Sequence, residues 1–337
     1  MQLSILEQAI AAVGRSNQET IRNAIDLAAH CEKLGYNRFW VSEHHNNQTI
    51  IGTAPEILMA AIASRTNRIR VGSAGIMLPH YSPLKVAEQF RVLDALAPDR
   101  IDLGLGRAPG SDGRTAFALN PLANERPEQF PSDVRDLMAW VRGRPLVEKH
   151  PFGNIEAFPK GDTAPEIWIL GSSNYGAQVA AHFGLPYCFA WFFSDGRGAE
   201  EAVEIYRKNY QPSDIQEEPY VGLCVWALAA DTDEEAQFHY NSRAKWRLSR
   251  DRGVFMPIEA PETALQCQLT SMERERISQD RANAFVGTAS KVNRKIMELG
   301  SQLAVDEMAL VTWVYDENVR KRSFELIANA FDLKMSA

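Results

Sequence analysis

Apolar and polar positions follow two rhythms along this chain, and the rhythms alternate from start to end. Residues 3–6 (Leu-Ser-Ile-Leu) form an apolar run short enough for a strand. Ser16-x-x-Glu19 is then a capping-box pair, and Ile21, Ala24, Ile25, Ala28, Cys31 and Leu34 recur at helical spacing up to Gly35. The same alternation continues. Strands are expected around Trp40 and at 68–71, 101–105, 166–170, 187–191, 220–228 and 308–312. Helices are expected from the capping pair Thr53-x-x-Glu56 to Ala63, after Ser82-Pro83, and at 131–142, 174–183, 199–209 and 317–331. Eight βα units without a compositional break predict one α/β domain over 1–337, a (β/α)8 TIM barrel rather than a doubly wound sheet. About eighty residues separate the seventh and eighth strands, with very polar stretches at 242–251 and 272–281. That is too long for one helix, so an insertion of helices and mobile loop, about 231–305, is expected at the barrel mouth.

The sharpest local signal is Arg38-Phe-Trp-Val-Ser-Glu-His-His45, an apolar strand ending in three ionisable side chains. Strand residues alternate faces, so Glu43 and His45 share one face and His44 takes the other. Ligands bind at the C-terminal ends of barrel strands, which makes these tips the place to look for chemistry. Imidazole titrates near working pH, so His44, with Glu43 beside it, is the candidate acid/base or hydrogen-bonding group. A histidine merely satisfied at a strand end is the competing reading. Metal is disfavoured, because adjacent histidines diverge and no second cluster has ligand spacing.

The fourth and fifth tips, Gly104-Leu-Gly-Arg-Ala-Pro-Gly110 and Gly171-Ser-Ser-Asn-Tyr175, are neighbours in a barrel. They bring Arg107 beside a Gly-Ser-Ser turn that opens a helix. Free amides, the hydroxyls of Ser172 and Ser173 and the helix dipole make a phosphate site, with Arg107 as its clamp. Taken singly, Gly171 is a turn glycine, Ser172 or Ser173 an N-cap, and Arg107 a surface ion pair. Glu88 is either a buried orienting carboxylate or a solvated one. Trp191, Phe192, Phe193 and Trp313 stand near strand tips and are either walls for an aromatic ligand or core.

Composition narrows the classes. The chain has 337 residues, 45% hydrophobic and 23% charged, the balance of a soluble globular protein. A net charge of −7, without a Lys/Arg-rich run, disfavours nucleic acid as a partner. Cys31, Cys188, Cys224 and Cys267 lack CxxC spacing and read as reduced thiols. With no signal-like start and no apolar run of the ~18 residues a span needs, the expectation is a cytoplasmic protein without membrane contact.

Several long motifs, in one order, resemble the bacterial-luciferase-like family of flavin-dependent monooxygenases, in particular its single-chain bacterial branch. They are Arg38-Phe-Trp-Val-Ser-Glu-His-His-Asn46, Arg70-Val-Gly-Ser-Ala-Gly-Ile-Met-Leu-Pro79, Ser82-Pro-Leu-Lys-Val-Ala-Glu-Gln-Phe90, Asp99-Arg-Ile-Asp-Leu-Gly-Leu-Gly-Arg-Ala-Pro-Gly-Ser-Asp112 and Trp168-Ile-Leu-Gly-Ser-Ser173. Phe285-Val-Gly-Thr288 and Asp306-Glu-Met308 fit the approach to the last strand, and the likeness is weakest from about 235 to 280. The resemblance implies a TIM barrel that binds FMN as FMNH2, supplied by a separate flavin reductase, and oxygenates a small organic substrate with O2 through a C4a-peroxyflavin. It implies a non-prolyl cis peptide at Ala74-Gly75 beneath the flavin ring, and a phosphate grip by Arg107, Ser172 and Ser173 with Tyr175 nearby. It also implies a homodimer. Gly106 stands where the light-emitting members carry a reactive cysteine, so bioluminescence is not implied. A deazaflavin (F420)-dependent hydride-transfer enzyme and a non-catalytic flavin-binding protein are the alternatives.

Overall fold

A computed structural model describes residues 1–122 and 127–334. The first half runs β1 (Gln2–Glu7), α1 (Asn17–Lys33), β2 (Arg38–Val41), α2 (Pro55–Ala63), β3 (Arg70–Met77), α3 (Pro83–Leu96), β4 (Ile101–Gly106), α4 (Gly113–Leu119), α5 (Phe130–Val141) and β5 (Glu166–Gly171). It continues with α6 (Asn174–Phe183), β6 (Tyr187–Phe189), α7 (Trp191–Ser194), α8 (Ala199–Asn209), β7 (Val221–Ala230) and α9 (Asp233–Asp251). The chain ends with α10 (Pro261–Leu265), α11 (Ser271–Asn283), β8 (Phe285–Thr288), α12 (Ala289–Gln302), β9 (Glu307–Val311) and α13 (Glu317–Ala330).

Strands β1 to β7 pair in sequence, and β9 pairs with both β7 and β1, which closes an eight-stranded parallel TIM barrel. The strands are apolar nearly end to end because helices cover them outside and side chains fill the inside.

The expected pattern holds for most elements, and its departures are instructive. Helix α2 starts at Pro55 and its N-cap, Ala54, makes no side-chain bond, so Thr53-x-x-Glu56 is not a capping box; proline at the first position sets this start instead. Strand β3 continues through the glycine-rich stretch to Met77, with a register shift against β4 between Ser73 and Ile76. Strand β6 stops at Phe189, and Trp191 opens the short α7.

The long segment after β7 is not all mouth. Strand β8 pairs with the C-terminal half of β7, Ala227 opposite Phe285, and α12 packs against β7, β8 and α13 as a framework helix. Helix α9 is docked rather than loose. Its Trp246 indole donates to the Thr49 hydroxyl at 2.9 Å and meets the Trp313 ring edge-on at 4.5 Å.

The N-terminal end of the barrel is closed by charge. Arg38 bonds Asp102 at 2.8 Å, Glu307 at 3.0 Å and Glu166 at 3.2 Å, and Arg70 bonds Asp102 at 2.6 Å. Trp40 and Tyr220 donate to Asp102 and Glu307 at 2.9 and 3.0 Å, so both buried carboxylates are saturated.

Candidate active site

At the opposite end, β2 runs into Ser42, Glu43 and His44. The Glu43 carboxylate is fully buried, 0% exposed, and its acceptors are taken. The Tyr81 hydroxyl donates to it at 2.6 Å and the Met77 amide at 3.0 Å, and His45 Nε2 lies 2.8 Å away. Met77 and Tyr81 flank the turn after β3, so Glu43 ties the β2 tip to the β3 tip. Glu43, expected as a catalytic group beside His44, is thus a buried carboxylate with three groups around it and lines neither of the cavities described below.

Strand β2 ends at Val41, so alternation does not extend to these residues, and His45, expected on the Glu43 face, lines the outer cavity beside His44. His44 lines two adjoining cavities, of about 350 and 550 Å³, within the range of small-molecule sites. Its Nδ1 is buried and has no hydrogen-bond partner. Burial pushes the imidazole down to about 4, with His45 adding to the effect and Glu43 opposing it. At neutral pH the ring is uncharged, and it stands where the two cavities meet.

The inner cavity takes its wall from the β3, β4 and β5 tips. The Ala74–Gly75 peptide is cis, as the resemblance implies, and both residues line this wall. A side chain at Gly75 would meet the Gly104 carbonyl at 2.8 Å, and one at Gly104 would meet the Ser73 carbonyl at 2.1 Å. The backbones of β3 and β4 therefore touch there, and backbone rather than side chain faces the cavity. Trp40, Leu170, Cys188 and Cys224 make its deep end apolar.

At the outer end of the same cavity stand Arg107, Ser172, Ser173 and Tyr175. The exposed Arg107 guanidinium lies 3.9 Å from the centre of the Tyr175 ring and makes no ion pair or hydrogen bond with any described residue. Ser173 is the N-cap of α6 yet makes no capping bond, so its hydroxyl and the first amides of the helix are unclaimed. An unpaired cation facing an uncapped helix start fits a phosphate, and the apolar deep end beside the cis pair fits a planar ring. The donor set suits FMN.

The second cavity lies between the β2 tip and α9. Trp226, Trp246, Trp313, Phe192 and Phe193 wall it, with His44, Arg243 and Gln8. Of the four aromatics left open between ligand wall and core, Phe192, Phe193 and Trp313 line this cavity and Trp191 packs against the core; the half-buried Glu88 lines neither cavity. Arg243 and Gln8 carried no readable signal. Gln8 accepts from the Trp313 indole at 3.0 Å, a contact spanning almost the whole sequence. Among the described residues no group of three acidic, histidine or cysteine side chains is arranged to hold a metal, and no helix is long and apolar enough to cross a membrane.

A closed barrel with an unpaired arginine, an uncapped helix start and a buried histidine around one rim has the makings of a small-molecule site. The chain belongs to the luciferase-like monooxygenase family, whose model matches residues 1–307. It is 36% identical over 331 residues to a luciferase-like monooxygenase of Escherichia coli (strain K12), covering 98% of this chain and 96% of the relative. It is 33% identical over 333 residues to the N-acetyl-S-alkylcysteine monooxygenase of Bacillus subtilis (strain 168), covering 98% of each. The solved structure of apo-MsnO8 superposes with a TM-score of 0.89 at 32% identity, covering 99% of each chain. The FMN complex of the oxygenating constituent of 3,6-diketocamphane monooxygenase from Pseudomonas putida shares the fold, with a TM-score of 0.70 at 19% identity, covering 98% of this chain and 97% of that one.

Proposed function

We propose that the protein binds reduced FMN in the inner cavity and uses O2 to oxygenate a small organic substrate held in the outer one. The observation that carries this reading is the single cavity shared by Arg107, the uncapped start of α6 and the cis Ala74-Gly75 backbone, with His44 at the junction to a second cavity. Bound there, reduced FMN supplies the electron pair that activates O2 at flavin C4a, one oxygen passing to substrate and the other leaving as water.

The chain's own residues do the rest. Arg107, Ser172, Ser173 and Tyr175 hold the phosphate, and the backbone of Ala74 and Gly75 supports the ring. Neutral His44, which lines both cavities, serves as a proton acceptor or hydrogen-bond partner. The aromatic walls exclude water, which slows loss of the activated oxygen as peroxide. The family likeness supports a separate flavin reductase as the source of the electrons. The relative that acts on N-acetyl-S-alkylcysteines makes a thioether the first substrate to try.

The test is anaerobic titration with photoreduced FMN, then stopped-flow mixing with O2. The expected result is saturable binding and an absorbing transient that precedes oxidised flavin and is missing without protein. Failure to bind reduced FMN, together with no transient, overturns the reading. Tight deazaflavin binding without FMN binding moves the protein to hydride transfer, and flavin binding without substrate-dependent oxygen uptake makes it a non-catalytic binder.

A further inference from the structure

Helix α9 carries a cation that has no anion of its own. Arg243 is 6% exposed, and its guanidinium lies 4.4 Å from the centre of the Trp226 ring. It makes no hydrogen bond or ion pair with any described residue. Two carboxylates, Asp195 and Asp280, act on it electrostatically, and both are claimed elsewhere. Arg247 holds Asp195 through two bonds of 2.7 and 3.0 Å and reaches Asp280 at 3.1 Å, while Arg276 takes the other oxygen of Asp280 at 3.2 Å. Three guanidinium groups thus face two carboxylates, and the surplus positive charge is Arg243.

That charge faces the outer cavity. Of the other ionisable walls there, His44 is uncharged at neutral pH, His45 lies against Glu43, and Arg250 and Asp112 have partners. Arg250 pairs with Asp251 at 2.8 Å. The Asp112 carboxylate caps α4, accepting from the Arg114 and Thr115 amides and from the Thr115 hydroxyl. Its second oxygen also accepts from Asn46. A buried charge without a counterion is costly to a fold, and such sites persist where a ligand supplies the missing partner. A guanidinium offers two parallel donors that match a carboxylate.

We infer that the outer cavity selects a carboxylate-bearing substrate, whose head pairs with Arg243 and whose apolar body lies along Phe192, Trp246 and Trp313 toward His44. Arg243 lines the outer cavity alone, whereas His44 lines both. The oxidised atom therefore lies along the body, away from the carboxylate. This assignment of a substrate class rests on the proposed oxygenase reading, but anion binding itself needs no flavin.

The test is a titration of tryptophan fluorescence, reported by Trp226, Trp246 and Trp313, with sodium octanoate and with neutral octanamide. Wild type is expected to bind octanoate at least about tenfold more tightly than octanamide, the scale of one charged hydrogen-bonded pair. R243Q should reduce that preference to about twofold or less and R243K should keep most of it. R107A should leave it intact, which excludes binding of octanoate at the phosphate cradle. Equal affinities in wild type, no saturable octanoate binding, a preference that survives R243Q, or one abolished by R107A would each overturn the inference. Should R243Q not fold, the wild-type comparison and R107A still decide. FMN binding is measured separately: octanoate preference without FMN binding leaves this inference standing and removes the flavin reading, and the reverse result does the opposite.

Discussion

Replacing His44 by asparagine removes one titrating group from a buried wall, and the consequence for stability can be worked out. In the unfolded chain the imidazole takes up its proton near pH 6.5, whereas in the folded protein burial delays protonation to about pH 4. Between those two values the unfolded state binds more protons, so stability falls as pH falls through that window. The slope approaches 1.4 kcal/mol per pH unit, about 3 kcal/mol over the full window. Carboxylates titrate in the same range, so the informative quantity is the difference between wild type and H44N. Urea denaturation at pH 7 and pH 5 should show wild type losing about 2 kcal/mol relative to H44N, with similar m-values. A difference that stays within about 0.5 kcal/mol across that range would refute a buried, neutral His44. The same state predicts an acid limb of turnover below pH 5 rather than near 6.5, and H44N should fold while altering turnover.

Three further substitutions test the framework. R107A should weaken FMN binding by about 1.5–3 kcal/mol, the scale of a lost charged hydrogen bond, measured by calorimetric titration; an unchanged dissociation constant removes Arg107 from the phosphate cradle. E43Q puts an amide where the carboxylate accepts from Tyr81, Met77 and, when protonated, His45, leaving one buried donor unmatched at a cost of about 1–3 kcal/mol. At about 2.1 cal/mol/K of unfolding entropy per residue over 337 residues, that is a fall of roughly 1–4 °C in melting temperature, and an unchanged midpoint would make the three bonds unimportant. R38M should destabilise by about 3–5 kcal/mol in chemical denaturation, because Asp102 and Glu307 stay buried after losing a shared partner. A neutral or stabilising result would show that the pair contributes nothing net.

Much of this was readable in the sequence. The apolar run with an ionisable tip marked the cavity mouth, and barrel topology set Arg107 beside Ser172 and Ser173. His45, however, lines the outer cavity with His44 instead of turning away with Glu43, because β2 ends at Val41. What escaped depended on partners far along the chain. Glu43 beside two histidines reads as an acid, but its donors at Met77 and Tyr81 arrive only through the turn after β3. The third strand is expected to end at Val71, but it runs on through Gly72–Met77, where glycines allow close contact between β3 and β4. The very polar residues 242–251 are expected within an insertion of helices and mobile loop. In the structure Ala236, Tyr240, Arg243, Ala244 and Arg247 share the buried side of α9, so two arginines are interior. The apolar members of that spacing would have revealed the helix, but not that its cations face inward.

The salt-bridged floor beneath Trp40 shuts the N-terminal end of the barrel among the described residues, so both cavities open toward the opposite rim. The inner one reaches solvent past the exposed Arg107 and the start of α6, and the outer one beneath α9. On the proposed reading, flavin and organic reactant would therefore enter by separate approaches that meet at His44.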